Sequence, residues 1–356
     1  MGASVAARLL TLLEIDAPII QAPMAGVSTP EMAAAVSNAG ALGSIGVGAT
    51  TAPRAQQMIA AFRERSRRSL NVNVFCHSPA RPDHAREARW LERLRPEFAR
   101  FGATPPATLN EIYRSFLEDD EMLAALLLAK PKVVSFHFGV PSRARIAALH
   151  DARIVLLASA TSLAEARAIA LAGVDAVIAQ GYEAGGHRGV FDPTADDDQL
   201  GTFALTRLLV REIDLPVIAA GGIMDGAAVA AALSLGAGAA QLGTAFIACD
   251  ESEADAGYRD ALKSDAAYHT VMTRTISGRP ARSLANRFTA LGLNIHPTDV
   301  PDYPIAYDAG KALHAAGRAT GEFGFGAHWA GQAAPLSRTM PAGDLVALLR
   351  RELRGL

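Results

Sequence analysis

The sequence predicts an α/β fold, a (β/α)8 TIM barrel that carries a helical lid. Eight short apolar runs alternate with alanine-rich helical stretches, and the runs are apolar at nearly every position, as in strands buried on both faces. Eight is the number of strands that closes such a barrel. The alternative is a doubly wound open sheet. The predicted strands span residues 17–24, 41–48, 70–76, 133–139, 153–160, 175–181, 216–222 and 239–247.

The stretches between these strands have the end signals of helices. Several begin at Ser, Thr or Asp, whose side chains cap the first turn, and end at Gly, which tolerates the left-handed conformation. The predicted helices lie within residues 30–40, 52–68, 142–152, 162–173, 202–214 and 225–238.

Two stretches interrupt the alternation of strand and helix. Residues 77–130 form a polar and helical insertion after the third strand, and residues 265–356 add loops and at least two helices after the eighth. Insertions at strand carboxyl ends lie over the active-site face of a barrel. We therefore expect residues 1–76 and 131–264 to form the barrel, and the two other stretches to form a lid.

Composition excludes several classes of function. The chain has 356 residues and a net charge of −2, so it offers no general attraction for nucleic acid or anionic lipid. No apolar run reaches the roughly 18 residues that a membrane span needs. Its two cysteines, Cys76 and Cys249, have no metal-ligand spacing, and no His or carboxylate motif predicts a metal. We expect a soluble, cytoplasmic protein with no metal; the oligomeric state stays open.

Glycine pairs follow the seventh and eighth predicted strands. Gly221 and Gly222 would let the backbone approach an anion closely, and Gly243 with Thr244 would add N–H groups and a hydroxyl. A helix beginning near Asp225 would add its N-terminal dipole. Tight strand-to-helix turns are the alternative explanation, but two such pairs at adjacent strand ends favour a phosphate site.

Three histidines fall at predicted strand ends. His77 precedes Ser-Pro and is expected to be structural, while His137, between two phenylalanines, is equally compatible with core packing. His187 lies in the glycine-rich loop QGYEAGGHRG, residues 180–189, where its neighbours in sequence cannot pack it. We expect His187 to be functional, since an imidazole can donate, accept or carry charge near neutral pH.

The C-terminal segment adds polar side chains. Only four of the 34 basic residues are lysines, and one of them, Lys311, is four residues from Tyr307, so both share one face if the segment is helical. Lys311 could bind an anionic substrate or be a solvated surface residue. Trp329, in HWAGQ at residues 328–332, is equally compatible with the core.

Seven of these stretches resemble one family in order along the chain. QAPMAGVSTP, NVNVFCHSP, VSFHFG and QGYEAGGHRGVF are similar to the four signature stretches of class I nitronate monooxygenases, formerly called 2-nitropropane dioxygenases. AAGGIMDG, QLGTAF and HWAGQ also fit that family, so the resemblance runs from residue 17 to about residue 333. AGGH alone is shared with related flavin barrels.

The resemblance implies an FMN-dependent enzyme with a TIM barrel and a lid. Such enzymes oxidise alkyl nitronates, of which propionate 3-nitronate is the best known, with O₂ to carbonyl compounds and nitrite through a flavin semiquinone. His187 would be the catalytic histidine, attracting and orienting the anion together with Lys311, or acting as base for neutral nitroalkanes. His137, Tyr303, Tyr307 and Lys311 would shape the substrate pocket. The cofactor would be held by Ala22, Pro23, Met24, Asn73, Gln180, Gly185, Gly222, Gln241, Gly243 and Thr244.

Two other functions stay open at this point. One is an FMN-dependent reductase on the same barrel that passes hydride from NAD(P)H to a quinone or an enoyl thioester. The other is a barrel that binds flavin or phosphate without turnover, with His187 and Lys311 in structural roles. Bleaching of the flavin by NADH would favour the first, and ligand binding without turnover the second.

Overall fold

Eight parallel strands form a closed barrel in the computed structural model, which describes residues 5–355. The barrel order is β1-β9-β8-β6-β5-β4-β3-β2, and a parallel bridge between Ile20 and Leu42 joins its two ends. A smaller antiparallel sheet has the order β10-β11-β7. The strands are β1 (Ile19–Gln21), β2 (Gly43–Gly46), β3 (Leu70–Phe75), β4 (Val133–His137), β5 (Val155–Ala160), β6 (Ala176–Gln180), β7 (Gly186–His187), β8 (Val217–Ala220), β9 (Ala239–Leu242), β10 (Thr270–Thr273) and β11 (Ala281–Leu284).

The barrel and its eight strands are thus confirmed, and the open-sheet alternative is wrong. One predicted strand was too long: residues 244–247 of the run at 239–247 form a helical turn instead. A short, uniformly apolar run has the same pattern in a buried strand and in a buried helix, so periodicity could not separate them.

Helices surround the barrel, and side chains cap several of them as predicted. Thr29, Thr51, Ser142, Ser162 and Asp225 each accept a hydrogen bond from a backbone N–H of the following first turn. The helices are α1 (Val5–Leu13), α2 (Pro30–Asn38), α3 (Ala52–Arg65), α4 (His84–Arg100), α5 (Asp120–Ala129), α6 (Arg143–Asp151), α7 (Leu163–Ala172), α8 (Thr202–Glu212), α9 (Gly226–Ser234), α10 (Thr244–Ile247), α11 (Ala256–Leu262), α12 (Arg287–Leu291), α13 (Ile305–Ala319) and α14 (Ala342–Arg354), with short 3₁₀ turns at Asp265–Tyr268, Gly292–Asn294, Pro297–Asp299 and Ala334–Leu336.

The insertion and the C-terminal segment pack on each other. Trp90 and Phe98 of α4 lie in one apolar cluster with Leu313 of α13. The contact also has a polar edge, since the guanidinium of Arg86 lies 2.9 Å from the carboxylate of Asp302. These two parts of the chain therefore form one helical layer.

Two helices inside the predicted lid segments belong to the barrel instead. Helix α5 buries Met122 and Leu126 in the cluster of the barrel strands, and helix α14 buries Leu345 and Leu349 against α2 and α9. They are the outer helices that follow the third and eighth barrel strands. The predicted lid therefore leaves out α5 and α14, and is smaller than residues 77–130 and 265–356 together.

Helix α1 covers the amino-terminal end of the barrel. Its Leu9 and Leu13 are fully buried against the strand residues Ile20, Ile178 and Ile218. The opposite end, where the strands have their carboxyl termini, is where the cavity described below opens. Among residues 5–355, no helix has both the length and the apolar character that a membrane crossing requires.

Candidate active site

One cavity of about 730 Å³ lies at the carboxyl ends of the barrel strands. Its volume is within the roughly 300–1,000 Å³ of typical small-molecule sites. Every residue that the sequence predicted for the site lines it. From the barrel these are Ala22, Pro23, Met24, Asn73, His137, Gln180, Gly185, His187, Gly222, Gln241, Gly243 and Thr244, and from the C-terminal segment Tyr303, Tyr307 and Lys311.

Polar groups with unused hydrogen-bonding capacity lie on the barrel side of this cavity. The buried Oε1 of Gln241 has no hydrogen-bond partner within residues 5–355. Thr244 Oγ1 accepts a hydrogen bond from Gly331 N at 3.0 Å, which leaves its own proton for a ligand. Asn73 Nδ2 donates to the backbone oxygen and to Oγ of Ser135, at 3.0 Å each. The side-chain oxygen of Asn73 is left as an acceptor.

The glycines after β8 have the conformation that a close backbone turn requires. Gly221 has φ 122° and Gly222 has φ 67°, both in the region that favours glycine. A Cβ on Gly221 would lie 2.6 Å from Thr202 Oγ1, so this position also has no space for a side chain. The turn brings backbone rather than side chains to the cavity wall.

The N-terminus of α9 differs from the prediction. The helix begins after Asp225 as expected, but its first N–H groups are already bound to carboxylates of the chain. Asp225 accepts from Ala228 N at 2.8 Å, and Glu352, from α14, accepts from Gly226 N at 2.8 Å. Two of its first three donors, Gly226 N and Ala228 N, are satisfied internally, so stabilisation of a bound phosphate by this N-terminus stays a prediction.

The charged side chains of the glycine-rich loop at residues 180–189 hold the loop in place. The carboxylate of Glu183 accepts from Thr202 N at 2.7 Å and so caps α8. Arg188 is 2% exposed and forms two bonds to the carboxylate of Asp197, at 2.7 and 3.0 Å. Neither side chain lines the cavity to act on a ligand.

Gly185 lets two segments of backbone touch. A Cβ at this position would lie 2.4 Å from Gly331 N and 2.5 Å from the carbonyl carbon of Ala330. The two segments are joined by a hydrogen bond from Gln332 N to Glu183 O at 3.0 Å. The glycine therefore permits the 180–189 loop to pack against the HWAGQ segment, and together they form one wall of the cavity.

His187 is fixed in orientation by a serine from a distant part of the chain. Its Nε2 lies 2.8 Å from Ser277 Oγ, and that hydroxyl donates its single proton to Arg279 O at 3.3 Å. The contact with Ser277 holds the imidazole ring in one orientation. The backbone is fixed as well, since His187 O accepts from Gln180 Nε2 at 3.0 Å and from His137 Nε2 at 3.2 Å.

Lowered pKa values keep the three histidines predicted at strand ends neutral at neutral pH. Burial, reinforced by the positive charge of Arg279, lowers the pKa of His77 and of His137 to about 4. For His187 burial and then the neighbouring His137 and Arg279 lower the pKa to about 3. The lowered pKa favours a neutral imidazole at the cavity of the ligand-free protein, so the expectation that His187 attracts the anion stays a prediction.

Arg279 supplies a buried positive charge behind this wall. It is 2% exposed, it has no carboxylate within 4.0 Å in the described part of the chain, and burial lowers its pKa to about 10. Its guanidinium donates to Val190 O and lies 4.2 Å from the centre of the Phe138 ring, which lines the cavity.

The lid side of the cavity presents phenols and one ammonium group. Burial raises the pKa of Tyr303, whose hydroxyl has no hydrogen-bond partner among residues 5–355, so it is a protonated donor. Its ring lies 5.3 Å from that of His187. Burial likewise raises the pKa of Tyr307 to about 12, and its oxygen accepts from Trp329 Nε1 at 3.3 Å.

Lys311 lies one turn from Tyr307 on α13, as predicted. Its Nζ lies 5.4 Å from the centre of that tyrosine ring and 4.9 Å from the ring of Tyr113, which comes from the insertion. No carboxylate of residues 5–355 lies within 4.0 Å of Nζ, and burial lowers its pKa. The ammonium group is therefore placed to pair with an anionic ligand.

Several residues of the site were missed from the sequence. Ser277, Arg279 and Tyr113 have no local signal, because their relevance depends on contacts across 90 or more residues. His314 and His328, which also line the cavity, follow no predicted strand. Position at a strand end was the only available signal, and it does not extend to the lid.

Comparisons with known proteins show the family of the chain. The family model described as nitronate monooxygenase matches residues 6–352. A nitronate monooxygenase from Paraburkholderia phytofirmans is 64% identical over 97% of this chain and 94% of its own length, and one from Pseudomonas aeruginosa is 53% identical over 98% and 99%.

Two solved structures are similar to this chain over nearly its whole length. A nitroalkane oxidase from Streptomyces ansochromogenes is 41% identical, with a TM-score of 0.87 and 98% of each chain covered. FabK from Thermotoga maritima is 29% identical, with a TM-score of 0.74 over 100% of this chain and 97% of its own. The chain belongs to the nitronate monooxygenase family.

Proposed function

We propose that the protein oxidises alkyl nitronates with O₂ to a carbonyl compound and nitrite, using FMN held in the 730 Å³ cavity. The observation that carries this proposal is the chemistry of the cavity wall. An ammonium group without a carboxylate partner, Lys311, and an unpaired phenol, Tyr303, share one cavity with a histidine that is neutral. This is a site for a small anion that arrives already deprotonated.

The residues on the barrel side fit a flavin mononucleotide. The orphaned Oε1 of Gln241 and the side-chain oxygen of Asn73 are acceptors for the N–H edge of a flavin ring. The backbone turn at Gly222 and the free proton of the Thr244 hydroxyl suit one phosphate group. A bound flavin would supply the electron acceptor for the nitronate and the electron donor to O₂.

The lid side would bind and orient the substrate. Tyr303 donates its hydroxyl proton to an oxygen of the nitronate, and Lys311 pairs with negative charge. Tyr303 is buried, so its interaction is stronger than in water, whereas Lys311 keeps contact with solvent. Their contribution is to hold the anion in one orientation rather than to change its protonation.

His187 would distinguish nitronates from neutral nitroalkanes. Ser277 holds the ring in one orientation, and a pKa of about 3 makes the imidazole a weak base. Removing a proton from a neutral nitroalkane is therefore slow, whereas a nitronate needs no such step. We propose that the neutral His187 excludes water beside the nitronate and leaves its protonation unchanged, with nitronates as the preferred substrates.

The second charge of propionate 3-nitronate fits Lys311. We propose that Tyr303 and His187 face the nitronate group and that Lys311 pairs with the carboxylate. The test compares propionate 3-nitronate with 1-propyl nitronate, which lacks the carboxylate, in the native protein and in Lys311→Met. Nitrite release should show KM rising at least tenfold for the first substrate and less than threefold for the second. Equal changes would contradict the proposed pairing.

The cofactor is tested separately. Heat-released flavin should be identified as FMN by chromatography, with about one equivalent per chain after reconstitution. Nitrite release from propionate 3-nitronate should depend on that FMN. A protein that binds no flavin, or that releases no nitrite from any nitronate when loaded with FMN, would contradict the proposal.

A further inference from the structure

A second concave site lies at the opposite end of the barrel. Helices α3 and α5 end beside the starts of β3 and β4, where a pocket of about 380 Å³ opens. No acidic residue lines it, and half of its lining is basic. The lining residues are Arg63, Arg67, Arg68, Lys130 and Lys132, with Ile59, Phe62, Ser66, Leu70 and Pro131.

Carboxylates neutralise only two of these five basic groups. Lys132 Nζ lies 2.6 Å from the carboxylate of Glu14, and Arg68 pairs with Asp16. Within residues 5–355, the other three basic groups have no carboxylate within 4.0 Å. These are Arg63, Arg67 and Lys130.

Only one of the three has another use in the fold. The guanidinium of Arg63 donates to Ala129 O and to Lys130 O, the latter at 3.5 Å, at the end of α5. Neither Arg67 nor the ammonium of Lys130 has a hydrogen-bond acceptor in residues 5–355. Arg63, Arg67 and Lys130 are exposed, so the pocket presents to solvent positive charge that no carboxylate of the described residues pairs.

The backbone at Lys130 is an independent observation. This residue has φ 47° and ψ 59°, the left-handed conformation in which a helix usually ends on glycine. A lysine there is strained relative to glycine, so glycine would be the more stable residue unless the lysine side chain has a use. Two of the four lysines of the chain, Lys130 and Lys132, lie in this pocket.

We propose that this pocket binds a small phosphate-bearing polyanion, with Arg63, Arg67 and Lys130 as its cationic ligands. Three unneutralised cations converge in one concavity, and Arg in particular suits the geometry of phosphate oxygens. The site is separate from the cavity at the other end of the barrel and does not depend on the proposed oxidation. The competing explanation is that these cations only offset the carbonyl ends of α3 and α5.

The test uses inorganic pyrophosphate as the probe and the FMN-loaded protein, so that the cofactor's own phosphate subsite is filled. Calorimetric titration at low ionic strength compares the native chain with Arg67→Gln/Lys130→Gly. The control Arg211→Gln/Lys263→Gln removes two exposed cations elsewhere. We expect the pocket variant to raise Kd at least tenfold and the control to change it less than twofold. Sodium chloride should weaken binding to the native chain.

Stability distinguishes the two explanations. Lys130→Gly alone should keep or raise Tm without pyrophosphate, because glycine relieves the left-handed strain, while it removes most of the rise in Tm that pyrophosphate causes. No binding by the native chain, or equal weakening in the pocket and control variants, would overturn the proposal. So would a Lys130→Gly variant that binds pyrophosphate as the native chain does.

Discussion

Gly185→Ala is the substitution for which the structure gives the most definite expectation. The added methyl group would lie 2.4 Å from Gly331 N and 2.5 Å from the carbonyl carbon of Ala330, and both neighbours are backbone. Since non-bonded carbon contacts are comfortable at about 3.5 Å, the two segments must separate by about 1 Å. No side-chain rotation can relieve the overlap.

The cost follows from overpacking and from the bonds that cross this contact. Overpacking a filled site costs about 1–3 kcal/mol. Separation also strains the bonds from Gln332 N to Glu183 O and from Gly331 N to Thr244 Oγ1, each 3.0 Å long and each contributing about 0.5–1.5 kcal/mol. We expect the contact between the two segments to be destabilised by about 2 kcal/mol or more. Because the flavin binds against this wall in the proposed site, its Kd should rise about thirtyfold.

The assay is fluorescence titration of the apoprotein with FMN, together with Tm. Gly343→Ala is the matched control, because its methyl group would lie 3.5 Å from Ala35 O, at ordinary contact distance, within α14. We expect the control to bind FMN as the native chain does, with an unchanged or raised Tm. A Gly185→Ala variant with native FMN affinity and native Tm would refute the reasoning.

Three further predictions concern His77, His137 and His187 and the side chains of Ser277 and Arg279 near them. Ser277→Ala removes the 2.8 Å bond that orients His187, so kcat/KM for a nitronate should fall about tenfold, or ~1.4 kcal/mol, in steady-state nitrite assays; an unchanged value would contradict the orienting role. Burial holds the pKa values of His77, His137 and His187 below 6.5, so the free energy of unfolding present above pH 6.5 should be lost as pH falls toward 4. Denaturant titrations should show a loss of up to about 1.4 kcal/mol per histidine and pH unit. His77→Phe should lessen this loss, and an equal dependence of unfolding free energy on pH in the variant and the native chain would contradict the expectation. Arg279→Met removes the buried charge, so the pKa of His187, followed by NMR, should rise and KM for the anionic substrate should increase; an unmoved pKa would show that burial alone is responsible.

Much of the fold could be predicted because strands buried on both faces leave an unmistakable apolar pattern. The runs at residues 70–76 and 175–181 needed only composition and alternation with helices to be placed in a closed sheet. Strand ends then located the cavity, since the carboxyl ends of barrel strands meet at one face. This is why His187 and Gly243, far apart in sequence, were expected at one face, whereas the role of Gln241 came only from the family resemblance.

What could not be predicted depends on contacts across long sequence distances. The sequence predicted helices within residues 77–130 and 265–356, but not that α5 and α14 pack on the barrel rather than in the lid. Glu352 meets Gly226 N across 126 residues, so the occupied N-terminus of α9 was hidden. The neutral state of His187 follows from burial, which a sequence of glycines around it does not reveal.

The central claim is that the cavity at the carboxyl ends of the strands holds a flavin that oxidises nitronates. The most direct test is an anaerobic absorption titration of the FMN-loaded protein with propionate 3-nitronate, with NADH titrated in parallel. We predict that the nitronate changes the bands of the oxidised flavin and that NADH leaves them unchanged. Bleaching by NADH with no response to the nitronate would contradict the account and favour the reductase, and a protein that stays colourless after FMN is added would contradict the flavin site itself.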